Sequence, residues 1–175
     1  RARHAGRKAS LSRTALSATT TDAGSTSGET DGARPSTSSA TTAPSEVVIV
    51  KVTGLLDPNL AQFVRSQIAE AERANAIVVL QVKSGRSVLT DGQFAQLAAA
   101  VRDATVPVHS WVGPKASVRG RVAQLVSLTG EVGISADSRL GDLGELAVDG
   151  GDFGGVAPKL ATETVDAKDA VTLGI

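Results

Sequence analysis

The sequence predicts an α/β domain of repeated βαβ units with a parallel sheet, preceded by a disordered tail. Two observations carry this. Three short β-branched apolar runs, VVIVKV (47–52), AIVVLQV (76–82) and VPVHSWV (106–112), are separated by segments of helical period. The composition also breaks sharply at Glu46. Strand and helix alternate three times at the spacing of βαβ units, which implies a parallel sheet with helices packed on it.

Residues 1–45 contain 18 serines and threonines, no Val, Ile or Phe, and two leucines. Such a segment buries too little apolar surface to offset the entropy of ordering, so a disordered tail or linker is expected. Its first 13 residues carry five cations, Arg1, Arg3, Arg7, Lys8 and Arg13, and no acid. The alternative use of that cluster is a basic patch beside anionic lipid. Residues 46–175 form the folded domain, and the stop at Leu173-Gly174-Ile175 reads as a cut in mid-pattern.

Within the domain, the apolar runs read as strands buried on both faces. Asp57-Pro58 marks an N-cap followed by proline at the first helical position, with Leu60, Phe63, Val64, Ile68 and Ala71 on one face. Thr90-Asp91 caps a second helix striped by Phe94, Leu97, Ala98 and Val101. A third helix follows GPKAS (113–117), aligning Val118, Val122, Leu125 and Val126, and EVGIS (131–135) reads as a further strand.

Composition excludes several functions. The chain of 175 residues has a formal net charge of zero, so no overall field steers it to nucleic acid. Aromatics are confined to Phe63, Phe94, Phe153 and Trp111, too few for base-stacking platforms. Cysteine is absent, which removes disulfides, thiolate metal sites and a cysteine nucleophile. No cofactor or metal is expected. No apolar stretch approaches the roughly 20 residues of a membrane-spanning helix.

Ligands of parallel sheets bind at the carboxyl ends of the strands. Two loops are expected there, KSGRSVLTDG (83–92) and GPKAS (113–117). A serine hydrolase would need a nucleophile, a base and two amides aimed at the oxyanion. Ser117 can supply the first, and Gly85 with the amides near Arg119 and Gly120 the third. For the base, His4 falls in the tail and His109 inside a strand, as a packed neutral histidine. Lysines 83, 115, 159 and 168 are candidates, but a lysine base must be buried to lose its proton.

The order VVIVKVTGLLDPNLAQFVRSQIAEAE, AIVVLQVKSG, VPVHSWVGPKASVRGRVAQLVSL, VGISADSRLGDLGEL resembles the NfeD-type membrane serine proteases. These belong to the ClpP/crotonase-like superfamily and are relatives of signal peptide peptidase A. The closing ATETVDAKDAVTLGI is similar to that family's late segment, and the likeness covers Glu46 to Ile175. The resemblance implies a ClpP/crotonase-like fold of stacked βαβ units, a serine–lysine pair and two oxyanion glycines. It also implies stomatin-like partners, homo-oligomers, and a membrane link through segments outside this chain, with the domain extracytoplasmic.

The sequence departs from the family at three places. The turn written Asp-Thr/Ser-Pro-Gly-Gly in the family is Lys83-Ser84-Gly85-Arg86-Ser87 here. Anchored on Gly120, the family's serine position falls on Val118. The segment that carries the family's lysine is the short AVDGGDFGGVAPK (147–159), where Lys159 is the lysine at hand. Ser117, one position early, reads as the N-cap of the third helix, whereas a one-residue insertion before Gly120 would restore it as nucleophile. The expectation is a pseudoprotease with no intact catalytic residue, its oxyanion-like backbone at Gly85, Arg86, Arg119 and Gly120. The alternatives are an active serine endopeptidase using Ser117, and an acyl-CoA enzyme of the crotonase branch.

Overall fold

The computed structural model describes residues 44, 46–153, 155 and 157–175. The tail expected over 1–45 lies, but for Pro44, outside the described residues. The main sheet has four parallel strands in the order β1-β2-β3-β5: β1 (Val47–Leu56), β2 (Ile77–Ser87), β3 (Val108–Val112) and β5 (Val132–Ile134). Between them run α1 (Pro58–Ala74), α2 (Asp91–Arg102) and α3 (Gly120–Ser127). A second sheet, in the order β4-β6-β7, joins β4 (Ser117–Val118), β6 (Arg139–Gly141) and β7 (Thr164–Val165), the last pair antiparallel. A single-turn 3-10 helix (Gly150–Phe153) and α4 (Ala157–Leu160) lead to β7, and α5 (Ala167–Leu173) ends on Gly174 in the left-handed region.

The expected helix starts are met where their signals are local. Asp57 Oδ1 accepts from the Leu60 amide at 2.8 Å, and Pro58 opens α1. Thr90 and Gln93 form a reciprocal capping box on α2. Phe94, Leu97, Ala98 and Val101 are buried as the stripe requires. On α1 the buried face is Ala61, Val64, Ile68 and Ala71, so the expected place of Phe63 is corrected: its side chain is 49% exposed. Phe63 lies one position before Val64, about 100° round the helix from the buried stripe's centre.

The third helix begins later than its apolar stripe suggests. Val118 belongs to β4, paired with Leu140, and α3 starts at Gly120. The N-cap position is Arg119, which makes no side-chain cap bond, so Ser117 is not the cap. The cause is tertiary: pairing of Ser117 and Val118 with Arg139 and Leu140 extends this backbone, and Gly120 turns it at φ +55°. Val118 is nonetheless fully buried.

Each crossover steps the same way along the main sheet, and right-handed connections then put all three helices on one face. Val50, Val52, Val78, Leu80, Val82, Val108 and Val112 lie beneath them and are buried. Residues of the alternate set face the other way: Val47 is 56% exposed, Ile49 63% and Trp111 36%. The expectation of strands buried on both faces is therefore corrected. β-Branched residues occupy both faces, but the monotonic strand order supplies helices to one.

Candidate functional site

The first loop expected at the sheet edge, 83–92, is partly strand. β2 continues through Ser87, with Arg86 opposite Leu55 and Ser87 opposite Leu56 beyond an irregularity at Thr53/Leu55. Two buried or half-buried hydroxyls hold this extension. Ser84 Oγ donates to the Gly54 carbonyl, and Ser87 Oγ donates to Leu56 at 3.2 Å while accepting from the Leu89 amide. Arg86 is therefore a ladder residue here, and Gly85 lies in the irregularity just before it.

The turn after β3 is pinned from behind. Ser138 is buried; its hydroxyl donates to the Gly113 carbonyl at 2.6 Å and accepts from the Ala116 amide at 3.3 Å. Lys115 takes a left-handed conformation at φ +58° within this turn. The chain then enters β4, where Ser117 is exposed and Val118 buried. The two segments meet as the sequence implies, but backbone to backbone. A Cβ on Gly85 would collide with the Ser117 carbonyl oxygen.

The Ser117 hydroxyl accepts from Arg119 Nε at 3.1 Å, and Arg119 Nη1 lies 3.9 Å from Asp142 Oδ2. A guanidinium has no lone pair to take a proton, so Arg119 orients the hydroxyl without activating it. The Gly120 amide donates to the Asp142 carbonyl at 2.8 Å and is thereby occupied. Arg86 N lies 3.5 Å from Ser84 Oγ. Beside this site Arg121 bonds the Leu89 carbonyl and the Asp91 carboxylate, tying the start of α3 to the start of α2.

None of the candidate lysines is desolvated: Lys83, Lys115, Lys159 and Lys168 are all exposed, and Lys159 Nζ donates to the Leu173 carbonyl at 3.3 Å. His109 sits at the start of β3, the end away from the turn, with its Nδ1 buried and unpartnered. His4 lies outside the described residues. Groups of three or more metal-binding side chains are absent among the described residues. Asp103 has its carboxyl held below the usual carboxylate range by a hydrogen bond from Arg102; it stands at the far end of α2 from this site.

One organising residue escaped the sequence reading. Gln124 is fully buried on α3; its Nε2 donates to the Leu143 and Glu145 carbonyls at 2.8 Å each, and its Oε1 accepts from the Ala147 amide at 3.0 Å. It therefore fixes the loop after β6. Its one available signal was a glutamine interrupting the apolar run Val122–Val126.

No protein-family model and no curated protein matches the chain by sequence. Solved structures do match its fold. A membrane-bound stomatin-specific protease in complex with a substrate peptide has a TM-score of 0.54 at 13% identity, covering 75% of this chain and 56% of that one. The chain thus spans little more than half the length of that protein. A membrane protease specific for a stomatin homolog from Pyrococcus horikoshii gives 0.58 at 13% identity over 74% and 70%. The ClpP protease catalytic domain from Plasmodium falciparum gives 0.57 at 9% identity over 72% and 80%. Methylmalonyl CoA decarboxylase gives 0.58 at 13% identity over 73% and 62%. The parallel sheet, its crossover helices and these likenesses agree: the described chain has the ClpP/crotonase-like fold.

Proposed function

We propose that this chain is a non-catalytic ClpP-like domain of an NfeD-like, membrane-associated protein, acting in binding or membrane-protein assembly. The observation that carries the reading is the state of the family's nucleophile position. In this reading Val118 takes that position, and it is buried and paired in β4. The neighbouring Ser117 hydroxyl is held by a group that cannot accept its proton. Support also comes from Gly120, whose amide is spent on Asp142, and from lysines that stay in solvent. The membrane link and a stomatin-like partner are carried over from what the similar proteases act on. Among the described residues no helix is long and apolar enough to cross a membrane. In this reading the domain is extracytoplasmic and homo-oligomeric.

A second reading, an active serine endopeptidase, is favoured by one observation: the Ser117 hydroxyl is exposed beside a cation that would stabilise an alkoxide. A fluorophosphonate probe separates the two, applied to the full-length protein in reconstituted membranes. The expected result is no labelling, with wild type and Ser117→Ala alike in peptidase assays. Labelling that maps to Ser117 and vanishes in Ser117→Ala overturns the proposal.

A further inference from the structure

Phe63 is the one aromatic of α1, yet it is exposed, and so are Val47 and Ile49 of β1. All three border the outer edge of β1. That strand ends the sheet order, with β2 on one side and, among the described residues, no strand on the other. The Glu46 carbonyl accepts from the Ile77 amide, so Glu46 and every second residue after it turn N–H and C=O toward β2. Val47, Ile49, Lys51 and Thr53 therefore turn theirs outward. The run stops there, because Gly54 takes φ +79° and the register shifts. On α1, Arg65 and Glu72 reach to the α2 side, at Gln96 and Thr105. Phe63 stands about 200° and about 180° round the helix from those two, so it overhangs the opposite flank, above the β1 edge.

We propose that this edge takes up an extended segment of a partner protein, added to the main sheet as a further strand. The edge describes the segment. Its outward N–H and C=O groups require an extended backbone. Phe63 on the helix side, with Val47 and Ile49 on the other, require apolar side chains on both faces of that strand. Lys51 is exposed and forms no ion pair among the described residues, so it selects a carboxylate on its own face of the segment.

The same lysine disfavours a second copy of this chain as occupant. Lys51 is the one charged residue of β1, so a second β1 brings another lysine and no acid to answer it. A lysine in the middle of an edge strand is a usual guard against such pairing. A segment of about seven residues, at about 3.3 Å each, spans the outward groups from Val47 to Thr53. The proposal does not rest on the catalytic state of Ser117.

A blocked peptide, acetyl-Thr-Ile-Val-Val-Thr-Glu-Thr-amide, tests it, titrated from about 10 µM to about 1 mM onto the full 175-residue chain. Its alternation sets isoleucine, valine and glutamate beside Val47, Ile49 and Lys51, with the other valine on the side of Phe63. Amide exchange read by NMR should slow at Val47, Ile49, Lys51 and Thr53 by about threefold or more at the highest concentration. Val48, Val50 and Val52, already bonded to β2, should not change. Ile49→Ser and Phe63→Ser should each weaken binding by about fivefold or more. Lys51→Glu should lose this peptide and gain its analogue with lysine in place of glutamate. All three positions are exposed, and matching thermal melts will show that the variants fold. No protection at the highest concentration overturns the proposal, as does a lysine analogue that the wild type binds as well as the parent peptide. So does binding indifferent to Ile49→Ser and Phe63→Ser. Protection that rises with protein concentration alone gives the edge to a second copy, and amides already slow at all concentrations give it to the chain's own residues; either overturns the proposal.

Discussion

Replacing one hydrogen of Gly85 by a methyl group would drive it into the Ser117 carbonyl oxygen, and neither backbone can swing aside as a side chain would. Gly85→Ala should therefore separate β2 from β4 and destabilise by about 1–3 kcal/mol, read from chemical denaturation. A change within about 0.5 kcal/mol would mean the contact relaxes freely. Val118→Asp places an uncompensated carboxylate where the native side chain is fully buried. It should cost several kcal/mol or abolish folding, checked by the same unfolding curves. Burial of Val118 was legible from its apolar neighbours. Its place in a strand was not, because the Val118–Leu140 pairing spans 22 residues and leaves no local pattern. The same pairing removed Ser117 from the cap position that its residue type favours.

Among the elements, those with local start signals and several turns of periodicity were readable: α1 from Asp57-Pro58, α2 from Thr90-Asp91. Asp57→Ala should cost about 1 kcal/mol by leaving first-turn amides unpaired, and Asp57→Asn should recover most of it. Thermal denaturation of the pair checks this; equal losses would show that the carboxylate charge matters more than the cap bond. β4, β6 and β7 have two or three residues each, too few for a period of two to register. The extension of β2 through Ser87 was hidden for a different reason. Lys83-Ser84-Gly85-Arg86-Ser87 is polar and contains glycine, as turns do, yet the Ser84 and Ser87 hydroxyls bond the β1 carbonyls and hold it extended. The candidate site lies where those hydroxyls and β4 meet, so its composition was visible in the sequence and its geometry was not.

Across the whole molecule, strand identity and parallel pairing followed from the alternation of runs, whereas the open face followed only from the strand order. β2 lies between β1 and β3, and its Val78, Leu80 and Val82 are fully buried beneath the helices. Its amides should exchange most slowly with solvent deuterium, and those of β5, a three-residue strand at the sheet edge, faster. Equal protection across the sheet would indicate that the strands open together. The strand order also governs how the chain can assemble as it is made. Paired positions lie 30 residues apart from β1 to β2 (47 to 77), 30 from β2 to β3 (78 to 108), and 22 from β3 to β5 (110 to 132). Every main-sheet strand after the first pairs with one already synthesised, so none must wait, unpaired and aggregation-prone, for a later partner. Loop closure at each step involves about 30 residues or fewer, which keeps the entropic barrier of a parallel sheet near that of a single βαβ unit. Growth of the sheet from the amino terminus onward is thus built into its topology, one crossover at a time.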